Sequence, residues 1–83
     1  MAQVILYSKP DCPLCDEARA ALGRVRERTA FQLDEVDIST DSELEVRLRE
    51  RIPVVAVDGF ELFEFHVDEQ ELERHLAGGA LAR

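Results

Sequence analysis

Tyr7-Ser8-Lys9-Pro10-Asp11-Cys12-Pro13-Leu14-Cys15 is the stretch on which the reading of the fold turns. An apolar run, Val4-Ile5-Leu6-Tyr7, leads into it, and a helical pattern leads out from Pro13 to about Arg28. Its two cysteines are the only ones in the chain and stand two residues apart. Thiols at that spacing close a disulfide without large backbone movement. The free N–H groups of a helix start favour the thiolate. A strand, a Cys-x-x-Cys turn and a helix together point to a thiol–disulfide redox site. Spacing alone leaves a structural or metal-binding thiol pair open. A disulfide closing so short a loop constrains the unfolded chain little, which argues against a staple.

Outward from this centre the pattern is regular. Residues 4–7 are apolar without alternation, as in a central strand covered on both faces. Residues 8–11 form a turn, Cys12 falls at the N-cap and Pro13 at the first helical position. Asp16 and Glu17 suit the start of the helix and Arg24, Arg26 and Arg28 its end. Leu14, Ala18, Ala21, Leu22 and Val25 recur at helical spacing and are expected to form the buried face. Residues 31–38 read as a second strand whose phase slips between Leu33 and Val36, which predicts a bulge or an edge. Thr40 and Glu43 form a candidate capping box for a short helix carrying Leu44, Val46 or Arg47, and Leu48.

Arg51-Ile52-Pro53 ends that helix. Residues 54–57 and 60–65 then form a hairpin about Asp58-Gly59. Asp68 and Glu71 are a second candidate capping box, for a helix with Leu72 and Leu76 inward that stops at Gly78-Gly79. The predicted class is α/β: βαβ-α-ββα in one domain spanning residues 1–83, a mixed four-stranded sheet flanked by three helices. The first two strands are parallel, since a helix joins them, and the last two antiparallel.

Composition narrows the function. A hydrophobic content of 46% supports a folded domain, and the net charge of −8 disfavours nucleic acid and acidic membrane surfaces as partners. Residues 1–30 carry five basic and four acidic side chains, net +1, whereas residues 31–83 carry five and fourteen, net −9. The cysteines thus lie in the part least hostile to an anionic thiol. No run is long enough to span a bilayer, and Met1-Ala2-Gln3 leads straight into a strand without the pattern of a signal peptide. A cytoplasmic location and a monomer are the expectations. In a reducing compartment a lone Cys-x-x-Cys is more often catalytic or metal-binding than a staple.

Taken together, the Tyr7–Cys15 stretch, Ile52-Pro53-Val54 and the Asp58-Gly59 hairpin resemble the thioredoxin fold, and in detail the glutaredoxins, with the small bacterial glutaredoxin-like proteins the nearest in pattern. The resemblance implies roles. Cys12 is the exposed nucleophile and Cys15 the buried resolving cysteine. Pro53 is a cis-proline facing the disulfide, and Ile52 pairs its backbone with a bound thiol peptide. Lys9 lies near the site, and Pro13 and Leu14, between the cysteines, complete the substrate-binding set. The implied substrates are protein disulfides. Glutathione is a further co-substrate, and electrons come from glutathione or a thioredoxin-reductase-type donor. Beyond the redox disulfide no cofactor is implied.

There are departures. Leu14 replaces the usual aromatic residue, and Leu62-Phe63-Glu64-Phe65-His66-Val67-Asp68 lacks a glycine pair that holds glutathione in the family. Its large side chains would crowd a carboxylate site. Arg51 is a candidate for an anionic group, or for an ion pair with Glu50 or Asp41. His66 and His75 do not have zinc-finger spacing, and Pro13 disfavours a shared iron–sulfur cluster, so no metal is expected. The rival readings are a non-catalytic module docking a partner around Pro53 and Phe65, and a metal-binding dithiol.

Overall fold

The computed structural model describes residues 2–77. Four strands and three helices follow in the order β1 (Gln3–Ser8), α1 (Pro13–Arg28), β2 (Gln32–Asp37), α2 (Ser42–Leu48), β3 (Val54–Val57), β4 (Phe60–Glu64) and α3 (Glu69–Ala77). They build one mixed sheet in the order β2-β1-β3-β4. β1 runs parallel to β2 and antiparallel to β3, and β3 is antiparallel to β4. The α/β, thioredoxin-like arrangement expected from the sequence is the one observed.

Strand alternation sorts the core onto two faces. Val4 and Leu6 lie opposite Val57 and Val55, and pack with Ala18, Leu22 and Val25 of α1, Phe31, and Leu72 of α3. On the other face Tyr7 lies opposite Val54, among Cys15, Ile38, Leu48 and Ile52, with Leu44 at the margin. β1 is therefore central, with Val4, Leu6 and Ser8 buried and Ile5 and Tyr7 half-buried.

Several local expectations need correcting. β2 is an edge strand with unbroken register to β1, so its phase slip marks the edge and not a bulge. The irregularity lies instead in the hairpin, where the β3–β4 register shifts between Val55 and Ala56. Leu14 is half-buried, and Cys15 takes its place on the inner face of α1. Asp41, not Thr40, caps α2: its carboxylate accepts the N–H groups of Glu43 and Leu44. Thr40 is already engaged, because Ile38–Thr40 forms a 3-10 turn and its hydroxyl donates to the Asp37 carbonyl. Asp68 does cap α3, accepting the Glu71 N–H at 3.1 Å, but the Glu71 carboxylate turns to Arg74 instead of back to the cap. The expected stop at Gly78-Gly79 lies outside the described residues.

The hairpin turn follows from its two residues. Asp58 has φ 50° and Gly59 φ 90°, the double left-handed backbone of a tight two-residue turn. Asp58 also ties the turn to β1: its N–H donates to the Gln3 carbonyl at 2.8 Å and its carboxylate accepts the Gln3 N–H at 2.9 Å. A Cβ at Gly59 meets nothing within 4 Å, so Gly59→Ala tests the backbone alone. We expect a loss of about 1–2 kcal/mol in urea denaturation, from left-handed strain.

Candidate active site

The Cys-x-x-Cys segment becomes a site because β1 ends beside the start of α1. Asp11 reverses the chain with φ 57°, a conformation that its short polar side chain tolerates better than most. Cys12 is then extended, φ −122° and ψ 102°, and caps α1, with Pro13 opening the first turn. Cys12 Sγ accepts the N–H of Cys15 at 3.1 Å, and the Cys12 carbonyl accepts the N–H of Asp16 at 3.1 Å. The first turn of the helix therefore directs one N–H, that of Cys15, at this sulfur. Cys12 and Cys15 are joined by a disulfide, their Cα atoms 5.1 Å apart. Cys12 is half-buried and Cys15 fully buried.

The second element is the loop before β3. Ile52–Pro53 is a cis peptide bond, and both side chains are buried. Ile52 packs in the cluster that contains Cys15 and that Cys12 and Tyr7 border. Among the described residues neither the N–H nor the C=O of Ile52 makes a backbone hydrogen bond. The Pro53 carbonyl, by contrast, accepts the Phe65 N–H at 2.8 Å, which fastens the turn after β4 to the loop.

The structure thus gathers Cys12, Cys15, Ile52 and Pro53. Pro13 is exposed and Leu14 half-buried, outside both core clusters, on the first turn between the cysteines. Lys9 is exposed on the loop before Cys12 and makes no ion pair among the described residues. Arg51 is not free for an anion: it pairs with Glu61, and with Glu64 at 2.6 Å, neither of the partners expected from sequence. β4 curls past this loop, whereas Asp41 and Glu50 do not reach it. His75 lies 4.0 Å from Glu71 on its own helix. Among the described residues no three His, Cys, Asp or Glu side chains gather to hold a metal.

Sequence reasoning missed a polar network beside the site. Ser8 is buried, and its hydroxyl donates to Glu35 at 2.7 Å. Arg19 binds the same carboxylate through two nitrogens and also reaches Asp16 at 2.7 Å. The network links the end of β1, β2 and the first turns of α1. A signal was present: Ser8 shares the parity of Val4 and Leu6, so it faces the core and needs a partner.

The Arg19 hydrogen bonds hold the Glu35 carboxyl below its ordinary range; partial burial opposes this, and the Ser8 hydroxyl adds to the lowering. A depressed carboxyl stabilises the fold above its unfolded pKa and loses that contribution as pH falls through the folded value. Glu35→Gln is therefore expected to lower stability slightly at pH 7, by at most about 1 kcal/mol because the pair is solvent-accessible. The difference from wild type should shrink on acidification below about pH 4.5, as read by urea midpoints across pH.

Comparison with known proteins agrees with this geometry. A family model described as Glutaredoxin-like domain (DUF836) matches residues 3–77. Target protein XcR50 from X. campestris is 35% identical, with TM-score 0.74 over 89% of this chain and 95% of that one. Protein Ne2328 from Nitrosomonas europaea shares the fold at TM-score 0.80 and 23% identity, covering 90% of this chain and 91% of that one. A thioredoxin from Halobacterium salinarum does so at TM-score 0.65 and 18% identity, over 90% and 71%. No helix among the described residues is long and apolar enough to cross a membrane.

Proposed function

The chain belongs to the glutaredoxin-like domain family, and from that premise we propose that it is a dithiol oxidoreductase exchanging electrons with protein disulfides through Cys12 and Cys15. One observation carries the reading: the two sulfurs are bonded yet unequal, one half-buried at the mouth of α1, the other sealed in the core. Helix donors and the Cys15 N–H favour negative charge on Cys12 sulfur, so Cys12 is the attacking thiolate of the reduced form.

In the first step Cys12 thiolate attacks one sulfur of the substrate disulfide. The substrate S–S bond breaks, a Cys12–substrate disulfide forms and the other substrate sulfur leaves as thiolate. Cys15 then gives up its proton to solvent or to the departing thiolate and attacks Cys12 sulfur. The Cys12–Cys15 bond forms, and the second substrate sulfur leaves. Two electrons pass from the protein to the substrate, which gains two thiols.

The unpaired N–H and C=O of Ile52 suit an extended peptide lying beside the disulfide, in the manner of an added strand. Pro13 and Leu14, between the cysteines, supply apolar surface, and Lys9, on the loop before Cys12, a positive charge. Two molecules of the monothiol glutathione, or one dithiol of thioredoxin-reductase type, would restore the thiols and leave as the corresponding disulfide. No metal or organic cofactor enters the cycle.

The test is stoichiometric. Pre-reduced protein, freed of reductant, is mixed with a two-chain peptide joined by one disulfide. We expect one peptide disulfide reduced per chain and a Cys12–Cys15 disulfide in the product. Peptide left intact while both protein thiols persist would overturn the proposal.

A further inference from the structure

Phe65 stands in a conformation that a bulky side chain seldom adopts. Its φ is 68°, in the left-handed region, and it lies just past the end of β4. Two hydrogen bonds hold it there. Its own N–H donates to the Pro53 carbonyl at 2.8 Å, and the next N–H, of His66, donates to the Glu64 carbonyl at 2.7 Å, closing a three-residue turn about Phe65. The ring gains little burial in return, since Phe65 remains 42% exposed. Strained backbone that displays an aromatic ring on a turn fastened to the loop of Pro53 is a mark of function more than of stability.

The surroundings say what it could meet. Phe65, His66 and Val67 face Glu17, Ala18, Ala21 and Arg24 of α1 across a cleft of about 130 Å³. That is well below the roughly 300–1,000 Å³ of small-molecule sites and suits a single side chain. The turn's first two N–H groups are already spent on Pro53 and Glu64, so they cannot bind a carboxylate. Arg24 is paired with Glu69, and Arg51 with Glu61 and Glu64. Glu17 and Asp68 have no cationic partner among the described residues. This side of the turn is acidic and apolar, with those two N–H groups occupied.

We propose that Phe65 is a specificity-determining residue, packing against an apolar side chain next to the substrate cysteine and favouring peptide disulfides over mixed disulfides with the doubly carboxylated tripeptide glutathione. The inference rests on the exchange reading above and deepens it. Phe65 touches the substrate flank, not the reacting sulfurs, so it governs choice of substrate and not the chemistry.

The experiment uses pre-reduced protein in single turnover with three probes. One is a two-chain peptide disulfide with leucine beside the cysteine, the second the same peptide as its glutathione mixed disulfide, and the third the two-chain disulfide with glycine in place of leucine. Wild type should reduce the first at least about tenfold faster than the second, the scale of one apolar contact. Phe65→Gly, whose backbone accepts positive φ freely, should lose most of that preference. It should also cease to distinguish leucine from glycine at the flank. Phe65→Asn, also tolerant of this backbone, is the second variant and should behave alike. An unchanged preference in folded variants overturns the inference and leaves the exchange reading standing. Wild type that reduces none of the probes overturns both.

Discussion

Replacing Cys12 by serine is expected to bring disulfide reduction down to the uncatalysed background, while Cys15→Ser stops the cycle after its first step. The asymmetry follows from position. Cys12 lies at the helix N-cap, half-buried, with the Cys15 N–H directed at its sulfur. A serine hydroxyl there is not a nucleophile toward sulfur at neutral pH and leaves no sulfur to carry the mixed disulfide. Cys15 is sealed at 0% exposure, so it cannot take over the attack on a substrate outside the core. Once a substrate sulfur is attached to Cys12, however, Cys15 is the thiol within reach to resolve it. Assays with a peptide disulfide should thus show Cys12→Ser at background under all conditions. A Cys15→Ser variant should retain only reactions in which an added thiol resolves the intermediate.

The largest stability effect is expected at Phe31, whose replacement by alanine should cost about 3–5 kcal/mol. Its side chain is 2% exposed and packs with Val4, Leu6, Leu22, Val25 and Leu72, joining both helices on that face to the sheet. It also stands where α1 hands over to β2: the next residue, Gln32, donates its N–H to the Ala2 carbonyl at 2.9 Å. The Arg26 guanidinium covers the ring at 5.8 Å from its centre. So short a chain has few residues to collapse into the space left behind, and domains of this kind hold only about 5–15 kcal/mol in total. Urea denaturation of the oxidised forms, with the disulfide intact in both, should show a lower midpoint at unchanged slope. Phe31→Leu should lose markedly less, because it keeps most of the buried volume. A loss below about 1 kcal/mol for alanine would contradict the packing described.

Much of this was legible in the residues. Val4 to Tyr7, the Cys12-Pro13 helix start and Asp58-Gly59 each carry a local rule, and the rules agree on one topology. Cys12 and Cys15 were assigned different exposure on resemblance, and their places at the N-cap and on the inner helix face supply the physical reason. What escaped the reading depends on contacts between distant segments. Arg51 pairs with Glu61 and Glu64 because β4 curls past the loop before β3, which spacing along the chain does not reveal. Glu35 meets Arg19 and Ser8 across three elements. Thr40 looked like a cap until its own 3-10 turn claimed the hydroxyl and left the role to Asp41. Phe65 violates a local preference outright, so no propensity could have placed it at positive φ. Of these departures, Arg51 and Phe65 lie at the loop that carries Pro53.

The most direct measurement of the central proposal is mass spectrometry of the Cys15→Ser variant after brief mixing, in acid-quenched samples, with a two-chain peptide disulfide. A chain carrying one peptide, mapped by digestion to the sulfur of Cys12, is the predicted product. A variant that stays unmodified under conditions where wild type is oxidised would contradict the assignment of Cys12 as the attacking thiol.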